Sequence, residues 1–444
     1  MKMNDKTLQR VGVRKYLAIR VLPLAMVIVG VFLSVTLPCG AEGFRNPPPG
    51  AFNLGRAGGR VAQVDDSSAV QDNPANLADI PLTDLQFTPT IVDIRTDFTS
   101  PSGQTGNTKD PWKVLPNFFA STPLMDGKLA LGLGLTVPYG LGNKWDESST
   151  AFARPTGVLR YQAPYSSELV TINVNPALAL KLGDHVRLGA GLDVMWSQLT
   201  LKQYYPWFIF PGSIGTEPDG NLEVKGDGVG VGGNIALTLL VTEHQRFAVS
   251  YRSPMTVNYG GNATVNNITP TASFLGATPS SSFSTEITFP TIVSAGYGIE
   301  LSRKVRVEAD FEWLQFSRFK SLDLNVGNNA FLLPSTSIPQ NWKDTFTAGI
   351  GGDWRFARNW VLRGGYRFYQ SPVPDSTFSP TIPDADQNVI TVGVGYTYKR
   401  STFEIAYGID FYKARNITSD VNPAYNGKYE TTLHMFSLAY RYSF

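Results

Sequence analysis

The chain has 444 residues, 17% of them charged, with one cysteine and a formal charge of +2. That balance excludes the strongly basic face of a nucleic-acid-binding protein, and a single thiol excludes a disulfide framework. Hydrophobic residues make up 42% and are interspersed with 42 glycines, with no apolar run near twenty residues beyond the N-terminal region, which excludes a helical membrane protein.

Residues 1–41 read as a secretory signal. Lys2, Lys6, Arg10, Arg14, Lys15 and Arg20 precede an apolar run from Val21 to Leu37 and the small residues Cys39-Gly40-Ala41. Pro23 breaks a run already marginal for a membrane span, so cleavage after Ala41 is expected. The remaining 403 residues would carry a charge of −3 and no cysteine, leaving no thiol chemistry.

Residues 42–84 form the next unit. Gly, Pro, Asn and Asp punctuate Gly43 to Ile80 every few residues, so neither a helical nor a strand period runs for long. This stretch reads as a compact, irregular plug, with Asp65-Asp66 forming a turn or an internal pairing.

Residues 85–444 then alternate between apolar and small or polar residues. Leu129, Leu131, Leu133 and Leu135 alternate with Ala130, Gly132 and Gly134. In Val305 to Trp313 the second face carries Arg306, Glu308, Asp310 and Glu312, and in Trp360 to Phe368 it carries Arg363 and Arg367. Phe436, Leu438, Tyr440, Tyr442 and Phe444 close the chain on one face. A continuous apolar face opposite a face with charges of both signs is the pattern of a transmembrane barrel with a polar lumen. A soluble sandwich shares the period but would not place both signs on a buried face. Because strands in lipid must satisfy every backbone group, the barrel is closed.

Six tight links, near 125–128, 183–184, 242–245, 302–304, 357–359 and 399–401, alternate with seven long connections. That predicts an all-β antiparallel barrel of about 14 strands with both termini on the short-turn side. Gly228, Gly230 and Gly233 match G-x-G-x-x-G, but a strand follows instead of a helix, so small lumen-facing residues explain them. His185, His244 and His434 stand apart, and no catalytic group or metal site is read. The chain is expected not to be an enzyme and to use no cofactor.

Gly43-Phe44, Leu54-Gly55-Arg56-Ala57, Asp65-Asp66 and Asn73-Pro74-Ala75 occur in an order that resembles the N-terminal hatch of FadL-type outer-membrane transporters for hydrophobic compounds. The resemblance continues through Phe247–Asn262, Trp313–Phe316, Trp342–Asp344 and Arg363–Asp386, covering nearly all of the chain after the signal. It implies an outer-membrane location in a Gram-negative bacterium and passive uptake of a hydrophobic small molecule. Long-chain fatty acids come first, with aromatic or aliphatic hydrocarbons as the alternative. It also implies membrane lipid and the barrel-assembly machinery as partners and a monomeric state. A general porin and a non-transporting structural barrel stay open as other classes.

Tyr204, Tyr205, Trp207, Phe208 and Phe210 form an apolar loop outside the wall that reads as a capture groove. Phe44 is a further candidate on the substrate path. Fatty-acid members of the resembled family place basic residues near the ligand carboxylate. The corresponding positions here are Gln203 and Ile338, with Lys202 and Lys343 beside them as candidate partners. Val137-Pro138-Tyr139-Gly140 ends the third strand, Lys128 to Val137. There Pro138, Tyr139 and Gly140 read either as a local failure of pairing that opens a side door or as the strand's entry into a long loop. On the door reading, Asn73, Pro74 and Ala75 are expected near the break as the gate.

Overall fold

A computed structural model describes residues 42–209, 215–327 and 336–444. The signal assigned to 1–41 and the candidate Phe210 lie outside the described residues.

The strands make fourteen passes. They are β1 (Asp84–Phe87 and Thr90–Thr99), β2 (Thr105–Asn107, Trp112–Leu115 and Phe118–Leu124), β3 (Leu129–Thr136 and Gly140–Lys144) and β4 (Ser166–Leu182). Next come β5 (Val186–Tyr205), β6 (Gly220–Thr242), β7 (Gln245–Arg252 and Met255–Val265) and β8 (Ser280–Phe289 and Ile292–Ser302). β9 (Val305–Leu314 and Ser321–Val326), β10 (Thr336–Pro339 and Thr345–Ala357) and β11 (Trp360–Tyr369) follow. The last are β12 (Gln387–Tyr398), β13 (Ser401–Tyr412) and β14 (Gly427–Ser443). Each pass pairs antiparallel with the next, and β14 pairs back onto β1, from Thr90 opposite Ser437 to Thr99 opposite Lys428. The sheet therefore has no free end, as a spanning sheet in lipid requires.

The period of two sorts the side chains as expected. Leu131, Leu133, Leu192, Ile350, Phe436 and Leu438 are exposed on the outside, whereas Asp193, Glu308, Asp310, Arg367 and Ser437 are buried within. The G-x-G-x-x-G glycines sit inside β6, paired along their whole length with β5.

The third strand departs from one expectation. It does not end at Val137 but resumes as Gly140–Lys144, whose residues pair with Val170 down to Ser166 of β4. Pro138 has no N–H to give, and the Tyr139 N–H goes to the Thr171 hydroxyl at 3.2 Å, so the ladder breaks inside the strand.

Residues 42–80 are almost wholly buried and contain two short helices, α1 (Ala51–Arg56) and α2 (Ala69–Asp72), and a 3-10 turn over Pro74–Asp79. Close approach to the wall requires glycine on both sides: a Cβ at Gly351 of β10 would lie 1.7 Å from the Gly58 carbonyl oxygen.

Candidate functional site

β9 supplies the anchor for the N-terminal segment. Glu308 takes the N–H groups of Val61, Ala62 and Gln63 at 2.7, 2.6 and 2.8 Å. One turn of pleat higher, Asp310 takes those of Gly59 and Arg60 at 3.0 and 3.2 Å. Glu312 meets Arg45, Arg60 and Arg367 at 2.9, 2.9 and 2.6 Å. A turn-rich segment offers many N–H groups that no helix or sheet satisfies, and inward carboxylates at a period of two answer them. Asp65 also turns to the wall, pairing with Arg306 at 2.8 Å.

Asn73, Pro74 and Ala75 are held by a local cap. The Asn73 side-chain oxygen accepts the Ala75 N–H at 3.0 Å, and its amide donates to the Val61 carbonyl and the Thr238 hydroxyl at 2.7 and 2.8 Å. Their backbone lies on Gly189 of β5, where a Cβ would come within 2.2 Å of the Ala75 nitrogen.

The break in β3 coincides with a break in β2 at Pro116-Asn117. The β2–β3 ladder stops at Phe118 opposite Leu135 and is renewed only by an isolated bridge between Thr108 and Trp145. The polar groups exposed there are taken by the N-terminal segment. Asn46 donates from its amide to Val137 O at 2.8 Å and from its backbone to Pro138 O at 3.0 Å, and Gly140 N–H reaches Phe44 O at 2.8 Å. A cavity lies against this break, lined by Arg45, Asn46, Pro74, Val137, Pro138 and Glu312 among others. Pro74 and Pro138 thus share one cavity, while the residues that touch the break itself are Phe44, Arg45 and Asn46.

Phe44 is 1% exposed and sits in an aromatic cage. It stacks on Trp342 at 5.1 Å and meets Phe289, Phe316, Phe319 and Tyr139 edge-on at 5.3, 5.6, 5.7 and 6.0 Å. Gly43 precedes it with φ 60°, and a Cβ there would stand 2.5 Å from the Trp342 ring. The Gly43 N–H binds Asp384, whose carboxyl burial pushes up to about 6. Burial likewise pushes the Glu42 carboxyl up to about 7, against the attraction of Arg45.

Above the cage a second cavity is lined by Leu201, Leu222, Val224, Phe319, Leu324 and Ile338, with Gln162, Gln203, Gln340, Ser379, Thr381 and Tyr425 as its polar groups. The described residues of the loop singled out in the sequence do not line it. Trp207 is fully buried, with its ring N–H on the Asn266 carbonyl at 2.9 Å, and Phe208 packs edge-on against Tyr161 at 5.5 Å. Tyr204 lies in β5 under the Arg160 guanidinium at 3.8 Å, and its hydroxyl donates to Glu147. Lys202 pairs with Glu223 at 3.0 Å, and Lys343 is exposed, so neither cation is brought to the cavity. The lining residues Leu201, Leu222, Val224 and Leu324 carried only the ordinary strand period. A repeat of two shows which face a residue takes but not which strands converge.

Comparison with known proteins follows this geometry. The family model "Outer membrane protein transport protein (OMPP1/FadL/TodX)" matches residues 32–444. The long-chain fatty acid transport protein of Escherichia coli O6:H1 is 23% identical, over 91% of this chain and 95% of that protein. Among solved structures, a FadL homologue from Pseudomonas aeruginosa superposes with a TM-score of 0.77 at 22% identity, covering 90% of this chain and all of that one. The toluene transporter TodX of Pseudomonas putida gives 0.70 at 18% identity, covering 91% and 99%.

Proposed function

The chain belongs to the OMPP1/FadL/TodX family of outer membrane transport proteins, and on that premise we propose that it takes up hydrophobic molecules passively through a side opening in its wall. It is an outer-membrane β-barrel transporter of hydrophobic compounds and not an enzyme. The observation that carries the route is the continuity of apolar surface from the upper cavity, through the aromatic cage around Phe44, to the break in β3.

Cargo enters the cavity among β5, β6, β9 and β10, where each buried CH₂ contributes about 0.8 kcal/mol. Phe44 then swings out of its cage, and residues 42–80 act as the hatch whose N-terminal end uncovers the break. Release is lateral into lipid. A straight path past Arg306, Glu308 and Asp310 would strand an apolar molecule among charges, which has no compensating gain.

Long-chain fatty acids are the first reading of the cargo, supported by the full-length relation to the fatty-acid transporter. One observation favours a neutral hydrocarbon: the cavity offers three glutamine side chains and no lysine or arginine among its described lining residues. Uptake of labelled oleate and of labelled toluene, in cells carrying only this transporter, tests both. Fatty-acid transport predicts saturable oleate entry that the matching alcohol blocks poorly. Hydrocarbon transport predicts toluene entry that oleate does not block. Entry of small polar solutes at the same rate as either would mean a general pore.

A further inference from the structure

We propose that the outer face of β9 and β10, just above the hydrocarbon boundary, binds the phosphate groups of a phosphorylated lipid headgroup. The Trp342 N–H donates to the Phe319 carbonyl at 3.2 Å, and both side chains point inward, 3% and 5% exposed. Phe319 and Trp342 lie between strand segments, and their neighbours Arg318, Lys320, Asn341 and Lys343 are all exposed. The Gln340 and Asn341 N–H groups both reach the Lys320 carbonyl, at 2.7 and 2.9 Å, which holds the two segments together here. Three exposed cations therefore flank one backbone-bonded pair, Phe319 and Trp342.

The height of the patch follows from strand length. A tilted strand crosses the hydrocarbon in about nine to eleven residues. Arg318 lies 13 residues beyond the start of β9 at Val305, and Lys343 lies 14 before the end of β10 at Ala357, both ends being at the short turn. Below the cations, Phe311 and Phe346 stack at 5.5 Å and are 45% and 49% exposed to lipid. A headgroup anion at the cations would thus lay its acyl chains over this pair.

Charge completes the case. At the same end of the barrel Lys144 is paired with Asp110 at 2.8 Å, Lys109 with Asp146 at 2.8 Å and Lys202 with Glu223 at 3.0 Å. Among the described residues Arg318, Lys320 and Lys343 form no ion pair. The nearby Asp344 carboxylate accepts the Ser317 N–H at 3.0 Å, and Arg318 gives only its Nε–H to Gln315, at 2.8 Å. The terminal guanidinium nitrogens and two ammonium groups remain, a set that matches a phosphate monoester by charge-assisted bonds. Phe319 and Trp342 carry the patch on one side and Phe44 on the other, so the lipid and the gate share two residues.

The test uses the full chain folded into phosphatidylcholine nanodiscs and titrated with diphosphoryl lipid A or its dephosphorylated form, with bound lipid counted by native mass spectrometry. The expected result is a preference for the phosphorylated lipid on the order of tenfold, weakening with salt. The triple variant Arg318→Gln, Lys320→Gln, Lys343→Gln should lose the preference while keeping the heat-shifted mobility of a folded barrel. Arg303→Gln with Lys304→Gln, at the opposite end of β9, should keep it. Equal binding of the two lipids overturns the proposal, as does equal loss in the two variants. Displacement of the lipid by inorganic phosphate at matched concentration would make the ligand a free anion and also overturn it. Should the triple variant misfold, Lys343→Gln alone decides, with a partial loss of preference expected and none contradicting the site.

Discussion

At the scale of single residues, Phe44 and Glu42 hold the N-terminal segment against the wall. Phe44→Ala removes a ring that touches five others, and large-to-small changes of this kind cost about 3–5 kcal/mol at a packed site. The expected outcome is an N-terminal segment that exchanges amide hydrogens faster by two orders of magnitude or more around residues 43–46, with the barrel amides unchanged. Glu42 is expected to make docking of this segment pH-dependent. Its ordinary value is 4.5 and its docked value about 7, because burial opposes the charge. The docked state therefore holds a proton that the released state gives up between those values, so docking is favoured at low pH and weakens as pH rises through that window. Hydrogen exchange of residues 43–46 at pH 5 and pH 8 should show stronger protection at pH 5. Glu42→Gln, which keeps the acceptor for the Thr345 hydroxyl, should flatten the difference.

At the scale of elements, the interrupted β3 and the carboxylate ladder of β9 do different work. The break leaves Val137 and Asn117 adjacent, the Val137 N–H lying 3.4 Å from the Asn117 side-chain oxygen. A disulfide between Asn117→Cys and Val137→Cys is expected to abolish uptake of labelled hydrophobic cargo, and reduction to restore it. Full uptake by the verified cross-linked protein would exclude the lateral route. On β9, Glu308→Gln leaves three backbone N–H groups with a weaker, neutral acceptor, and charge-assisted bonds exceed neutral ones by roughly 1–2 kcal/mol. Limited proteolysis should then cut within residues 58–66 while leaving the strands intact.

At the scale of the whole molecule, residues 42–80 fill space that fourteen paired strands would otherwise leave to water. Deleting Gly43 to Ile80 should give an assembled barrel with raised single-channel conductance in planar bilayers, and unchanged conductance would show that this segment does not block the lumen. The strand count, the apolar outer face and the inward Arg306, Glu308, Asp310 and Glu312 were legible in the chain because a period of two maps directly onto the two faces of a sheet. The short turns were legible because short polar runs interrupt that period, as at Gly183-Asp184 and Ser302-Arg303-Lys304. Neither the resumption of β3 at Gly140 nor the capture cavity could be read in this way. Val137-Pro138-Tyr139-Gly140 shows where a ladder fails, but only the supply of donors and acceptors from Asn46, Phe44 and Thr171 lets the strand continue past the failure. The cavity joins Leu201, Leu222, Leu324 and Ile338 from four strands, and its position depends on how far each strand is shifted along its neighbour. Trp207 and Lys343 mark the same limit from opposite sides: one aromatic expected outside is fully buried, and one cation expected at the ligand faces out. Local alternation specifies the face of a residue, whereas its height in the wall and its neighbours across the lumen arise from register and curvature, which exist only once the barrel has closed.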